Sequence, residues 1–260
     1  MAELAQDDLE ALKQAKVLLE NPGFTARLAD LVGTPLEQGF KALPRAASAR
    51  IGEVVSSALN QCLRAALATM PSQPAVRHAP WNKAHKLATA VTGGVGGFFG
   101  LAALPVELPF TTTVMFRSVC EIARNEGEDL ASITGRLQCL SVFAMGGGPK
   151  AQGAETGYFA VRAALATEMK AALDTVARGG TAASESLLVR FIAAVASRFS
   201  VQVTEQMAAK AIPVVGAVLG ATINVLFMDH FQSMAQGHFT VRRLERAYGA
   251  DKVRAAYEAL

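Results

Sequence analysis

The sequence predicts an all-α protein, a multi-helix bundle of about ten helices built on two central apolar stretches. Three observations carry that prediction. No segment alternates apolar and polar residues with period two between turn signals, so no strand is expected. Apolar residues instead recur at three- and four-residue spacing along most of the chain. Residues 87–116 hold one charge, Glu107, and residues 211–228 hold none; both stretches are too apolar to face water.

Residues 3–20 read as a first helix. Leu9, Leu12, Ala15 and Leu19 share a face, and Asp7 and Asp8 lie in the first turn, where carboxylates suit the helix dipole. Asn21-Pro22-Gly23 stops it. A second helix runs from Thr25 toward Phe40, weakened by Gly33 and Pro35. A third opens at Pro44 and continues through Ile51, Val55, Ala58, Cys62 and Ala66 to Met70. Three prolines within residues 71–80 favour an extended linker. The expected division is therefore a helical region over 1–70, a linker over 71–80 and a core over 81–260.

Within that core, Pro105 and Pro109 are expected to break or kink the first apolar stretch. A helix then continues to Asn125, and a turn follows at Glu126-Gly127-Glu128-Asp129. Asp129 is a cap candidate for a helix through Ile133, Leu137, Leu140 and Phe143. Further helices carry Tyr158 to Val176 and Ser184 to about Lys210, the latter bounded by helical spacing alone. The second apolar stretch, an amphipathic segment from Asp229 and a short last helix after Gly249 complete the chain.

Composition narrows the function classes. The 260 residues are 51% hydrophobic and 18% charged, with mean hydropathy +0.27. A net charge of +3 gives no dense basic stripe, which argues against nucleic acid as a partner. Three cysteines, Cys62, Cys120 and Cys139, have no metal-ligand spacing and read as buried thiols of a reducing compartment. The acidic amphipathic start lacks the pattern of a secretory signal, so the expected location is the cytoplasm or the inner face of a membrane.

Several motifs occur in a suggestive order. They are Trp81-Asn82-Lys83, Gly93-Gly94-x-Gly96-Gly97, and Leu104-Pro105-x-Glu107-Leu108-Pro109. Ile122-Ala123 before Gly127-x-Asp129 follows, then Gly157-Tyr158-Phe159-Ala160-Val161-Arg162-Ala163-Ala164-Leu165, and Ile212-Pro213-x-x-Gly216-Ala217. In these the chain resembles the EcsC family, over roughly Trp81 to Tyr257; the first eighty residues do not contribute. The resemblance implies a bacterial protein. The family's namesake is a companion of an ABC transporter's ATPase and membrane subunits, which implies a role near membranes and no particular chemistry.

The glycines do not form a nucleotide loop. A G-x-G-x-x-G fingerprint from Gly94 meets Phe99 where its last glycine belongs, and no strand precedes it. Gly93/Gly97, Gly96/Gly100 and Gly216/Gly220 spacing instead suits close helix packing. Each apolar stretch offers eighteen uncharged residues (87–104 and 211–228), at the lower edge of a membrane span. Their Gly, Ala, Thr and Val content favours buried helices of a soluble or peripheral domain, with a reversibly inserting hairpin still open.

Glu107 is the most informative charge. Buried, it needs a partner, because an unpaired interior carboxylate costs several kcal/mol. Arg117 and Arg162 are the expected partners, each interrupting an otherwise apolar helix side. Asn224 and Asp229 raise the same question on the second stretch: a core amide, and a marker of where the helix reaches water. Glu107, Arg117, Arg162, Asn224 and Asp229 form the candidate buried polar or ligand site. The alternatives are an ion pair that locks helices and a ligand or proton site.

Other chemistry is poorly supported. His78, His85, His230 and His238 have no metal grouping, and HExxH and GxSxG are absent. Gly146-Gly147-Gly148-Pro149-Lys150 lacks P-loop spacing. Glu126, Glu128 and Asp129 read as a solvated turn, and Arg242, Arg243 and Arg246 as a solvated helix face able to graze anionic lipid. The expectation is a non-enzymatic cytoplasmic protein without cofactor or metal, associating with lipid or with a membrane-protein complex. A hydrolase using Glu107 as acid or base, and a module whose groove takes a partner helix, are the alternatives.

Overall fold

Ten α-helices, and no strand, stand among the residues that this computed structural model describes, which are 4–20, 24–33, 36–44, 46–69, 103–146, 157–177, 181–212 and 215–260. They are α1 (Gln6–Glu20), α2 (Phe24–Val32), α3 (Glu37–Ala42), α4 (Ala47–Thr69), α5 (Leu104–Asn125), α6 (Ile133–Ser141), α7 (Gly157–Ala177), α8 (Thr181–Ala211), α9 (Val215–Tyr248) and α10 (Ala250–Ala259). The fold is the all-α bundle expected from the periodicity. The linker over 71–80 and the close packing read from Gly93, Gly96, Gly97 and Gly100 lie outside the described residues.

Local chemistry sets the boundaries, and some differ from expectation. The helix expected from Thr25 toward Phe40 is two helices, because Gly33 adopts φ +65 and turns the chain between them. The two prolines do not divide α5. Pro105 sits in the first turn, where its missing N–H has no intrahelical acceptor to lose, and Pro109 lies within the continuous helix. Ser132, not Asp129, caps α6: its hydroxyl accepts from Gly135 N at 3.0 Å, while Asp129 Oδ1 accepts from Ala131 N. The second apolar stretch and the amphipathic segment after it are one 34-residue helix, α9.

α9 is the axis of the bundle. Two hydrogen bonds fix α5 parallel to it, Asn224 to Glu107 and Gln232 to Ser118, and Gln236 to Glu126 ties down the turn that follows. α8 runs antiparallel, with Gln206 against Asn224 and the Phe199 ring 5.9 Å from that of Phe227. α1 packs antiparallel on the far part of α9, where Gly237 lets Ala15 and Leu19 approach. α3 lies on the end of α8, with Gly39 directly against the Ala208 carbonyl.

Residues from α1 to α4 share one apolar core with those from α5 to α10. At its centre Phe24, Phe143, Phe199, Phe227 and Phe231 pack in stacked, tilted and edge-on pairs, with neighbouring centroids 4.9–5.9 Å apart. Cys62, Cys120 and Cys139 are buried free thiols. Among the described residues no helix is long and apolar enough to cross a membrane.

Candidate functional site

A polar seam crosses this apolar core. Gln202, Gln206 and Lys210 recur every fourth residue on α8, so they fall on one helix face, and all three are buried. Gln202 Nε2 donates to the Met145 carbonyl at 2.7 Å. Gln206 Nε2 donates to Asn224 Oδ1 at 2.8 Å. Lys210 Nζ donates to Glu107 Oε1 at 2.6 Å, with side-chain exposures of 1% for the lysine and 8% for the glutamate. Asn224 Nδ2 reaches the same carboxylate oxygen at 2.9 Å. One oxygen of Glu107 thus joins α5, α8 and α9.

Burial depresses the Lys210 ammonium below its ordinary range, and the Glu107 carboxylate only partly offsets that. The other carboxylate oxygen, Oε2, is buried without a hydrogen-bond partner, as is the hydroxyl of Thr111 one helical turn on. The seam therefore combines an ion pair with an unused acceptor.

The structure places the expected site residues in different regions. Glu107 and Asn224 come together. Arg117 is exposed, and Arg162 lies in a separate network, so neither is the partner of Glu107; Lys210 is. Asp229 is half-buried within α9, five residues on from Asn224. Lys210 and Gln206 were missed because the sequence shows only isolated polar residues; the four-residue spacing of Gln202, Gln206 and Lys210 was the available signal.

Arg162 makes a two-pronged pair with Glu245, both bonds 2.8 Å, and donates to the Tyr158 hydroxyl. Burial works against its charge, but Glu245 and Tyr158 hold it above the ordinary arginine range. The Tyr158 hydroxyl faces His238 Nδ1 at 3.0 Å, and His238 Nε2 faces Gln138 Oε1 at 3.2 Å. Since Gln138 Oε1 can only accept, Nε2 carries the proton and Nδ1 accepts from Tyr158. His238 is buried neutral, its basicity lowered by burial and then by Arg162 and Arg242. His230 stands elsewhere, between the Phe24 and Phe231 rings, with Nε2 unpartnered against Gly146.

The turn after α5 is not a solvated acidic cluster. Glu128 takes Arg242 and Arg246, and Glu126 takes Arg243 and Gln236. Asp8 of α1 adds a second carboxylate to Arg243. The arginines expected on a free helix face are bound here instead. No group of histidines, cysteines or carboxylates suited to a metal ion occurs among the described residues.

These positions can be set beside known proteins. The model of the EcsC protein family matches residues 6–244, and so takes in the N-terminal helices that the sequence motifs leave out. No curated protein and no solved structure matches the chain.

Proposed function

The chain belongs to the EcsC protein family, and on that premise we propose that it is a non-enzymatic protein that associates peripherally with a membrane, or with a membrane complex, through one end of its bundle. The observation that carries this reading is a set of exposed apolar side chains. Val106 is 78% exposed and Val218 71%, with Phe110 and Phe40 also exposed. The Glu107–Asn224 bond puts the starts of α5 and α9 side by side, and Gly39 on Ala208 brings α3 to the same end. In the sequence, the uncharged residues 87–104 lead directly into this end. Exposed aliphatic and aromatic residues at one end of a bundle suit a lipid surface or a membrane protein.

The non-enzymatic part rests on partners. Glu107, Arg162, Glu126, Glu128 and His238 each hold another helix through hydrogen bonds or ion pairs. Flotation with liposomes tests the reading. The protein should float, and Val106→Asp and Val218→Asp should each reduce the floating fraction. Both substitutions fall in the first turn of a helix, where an aspartate suits the dipole, so the fold is kept. Val189→Asp, at a 61% exposed site some twenty residues down α8 from Lys210, is the control and should float as the parent does. A parent that stays at the bottom of the gradient overturns the reading.

A second reading has one observation in its favour, the unpartnered Oε2 of Glu107. A carboxylate so placed suits an acid or base in a closed pocket. Glu107→Gln separates the two: a folded protein that loses a measured hydrolysis supports the enzyme, and simple destabilisation supports the structural pair.

A further inference from the structure

We propose that His230 and Met234 form a binding site for copper(I), holding the ion between an imidazole nitrogen and a thioether sulfur. The site is independent of the membrane reading above.

The two residues are four apart on α9, so they lie on one face of that helix. Both are buried, and Nε2 of His230 has no hydrogen-bond partner. A buried polar nitrogen left bare is costly, so it calls for a partner. The Met145 carbonyl lies by the other ring nitrogen and favours the proton there. That carbonyl is itself fixed by Gln202 Nε2 at 2.7 Å. The tautomer is thereby set: Nδ1 carries the hydrogen and Nε2 offers a lone pair. A metal-binding histidine is commonly oriented in this way, with its second nitrogen on a backbone carbonyl.

Gly146 brings the two donor atoms to one point. A Cβ added to this glycine would meet His230 Nε2 at 2.5 Å and Met234 Sδ at 2.8 Å. Both distances are within about 0.5 Å of ordinary N and S bonds to a metal ion. Glycine, held here at φ +74, puts no side chain at that point, and it is itself partly exposed. Methionine is unbranched and turns freely about its side-chain bonds, so its sulfur can close the remaining gap.

Donor chemistry and charge choose the ion. Thioether sulfur is soft and selects copper(I), and imidazole binds copper well. Burial and the Arg27 charge keep the imidazole neutral, so its lone pair is free near neutral pH. The same burial counts heavily against a doubly charged ion, because the cost of leaving water rises with the square of the charge. Phe24 and Phe231, with ring centroids 5.6 and 5.0 Å from that of His230, make the surroundings apolar and suit a weakly hydrated ion of single charge.

The test is an anaerobic titration of the folded full chain with copper(I) against a chromophoric chelator, with the imidazole resonances followed in nitrogen–proton correlation spectra. The parent should bind a single copper(I), and the His230 Nε2 resonance should move while those of His238 stay. Met234→Leu keeps the core filled and should weaken binding at least about tenfold. His230→Gln should abolish it; where that variant does not fold, Met234→Leu decides alone. A parent that takes no copper(I), a Met234→Leu variant that binds as the parent does, or an Nε2 resonance that stays put overturns the proposal. Copper(I) bound with that resonance unmoved would belong to the buried thiols Cys62, Cys120 and Cys139. Zinc(II) should leave the resonance unmoved, and zinc(II) binding of equal strength would overturn the choice of a soft, singly charged ion.

Discussion

Lys210 and Glu107 form a buried ion pair across 103 residues of chain, and the shared oxygen is also held by Asn224. Two ions in an apolar interior gain their mutual attraction only after each has given up water, so the net contribution of the intact pair is small. Breaking one side is a different matter. Glu107→Gln leaves the ammonium buried without its counter-ion, and the expected loss is about 3–5 kcal/mol in urea unfolding. Replacing both, as Glu107→Gln with Lys210→Met, should recover most of that loss. A double variant no more stable than Glu107→Gln alone would refute the pairing.

Acid should destabilise the fold well above the carboxylate range. His230 is held neutral by burial and by the Arg27 charge, its value falling from 6.5 to about 3. His238 also lies well below 6.5. Below pH 6.5 the unfolded chain binds a proton on each ring that the folded chain refuses, so stability rises with pH there and is lost as pH falls toward 3. The slope should approach ~1.4 kcal/mol per pH unit for each ring, and His230→Gln should remove about half of it. A flat stability profile between pH 6.5 and 4 would contradict the burial of both rings.

Two glycine substitutions should act in opposite directions. A Cβ on Gly39 would land on the Ala208 carbonyl, so Gly39→Ala must push α3 off α8, at a loss of about 1–3 kcal/mol. A Cβ on Gly52 meets nothing within 4 Å, and there Ala only improves helix propensity, a gain of about 0.5–1 kcal/mol. Thermal unfolding of the two variants reads both signs at once.

The thiols should be silent in the folded protein. Burial pushes the Cys62 thiol up to about 12, and burial together with Cys120 pushes Cys139 up as well. Thiolate is the reacting form, so dithionitrobenzoate at mild alkaline pH should react with Cys62 and Cys139 only after urea unfolds the chain. Fast native labelling of either would show that the core opens at that point.

The sequence was most legible where a single helix decides its own face. Leu12, Ala15 and Leu19 were expected on one buried face and lie on it, and Ile51, Val55 and Cys62 do the same on α4. Leu9 is the exception, more than a third exposed at the open edge of α1. Legibility failed where a residue's role depends on something distant. The burial of Glu107 follows from its apolar neighbours, but its partner lies three helices away in chain order, and no local pattern points from one to the other. Arg162 looked like a partner because it interrupts an apolar side; its actual carboxylate, Glu245, is 83 residues on. Asp229 was read as the point where the helix reaches water, and it is half-buried in the interior of α9. Pro109 looked like a break because proline commonly is one, yet the seated α5 tolerates the loss of one backbone bond.

The seat of α1 has a consequence for how the chain comes into being. Ala15 and Leu19 close on Gly237, and Asp8 on Arg243 and Tyr248, partners synthesised more than two hundred residues later. α1 therefore waits, with its apolar face open, until the later part of α9 has been made. Pairings of such sequence separation close slowly, because the entropy of the intervening loop must be given up first. Nascent chains halted before α9 should consequently recruit holding chaperones through α1, and polar substitution of Leu12 should relieve that recruitment while undoing the finished bundle.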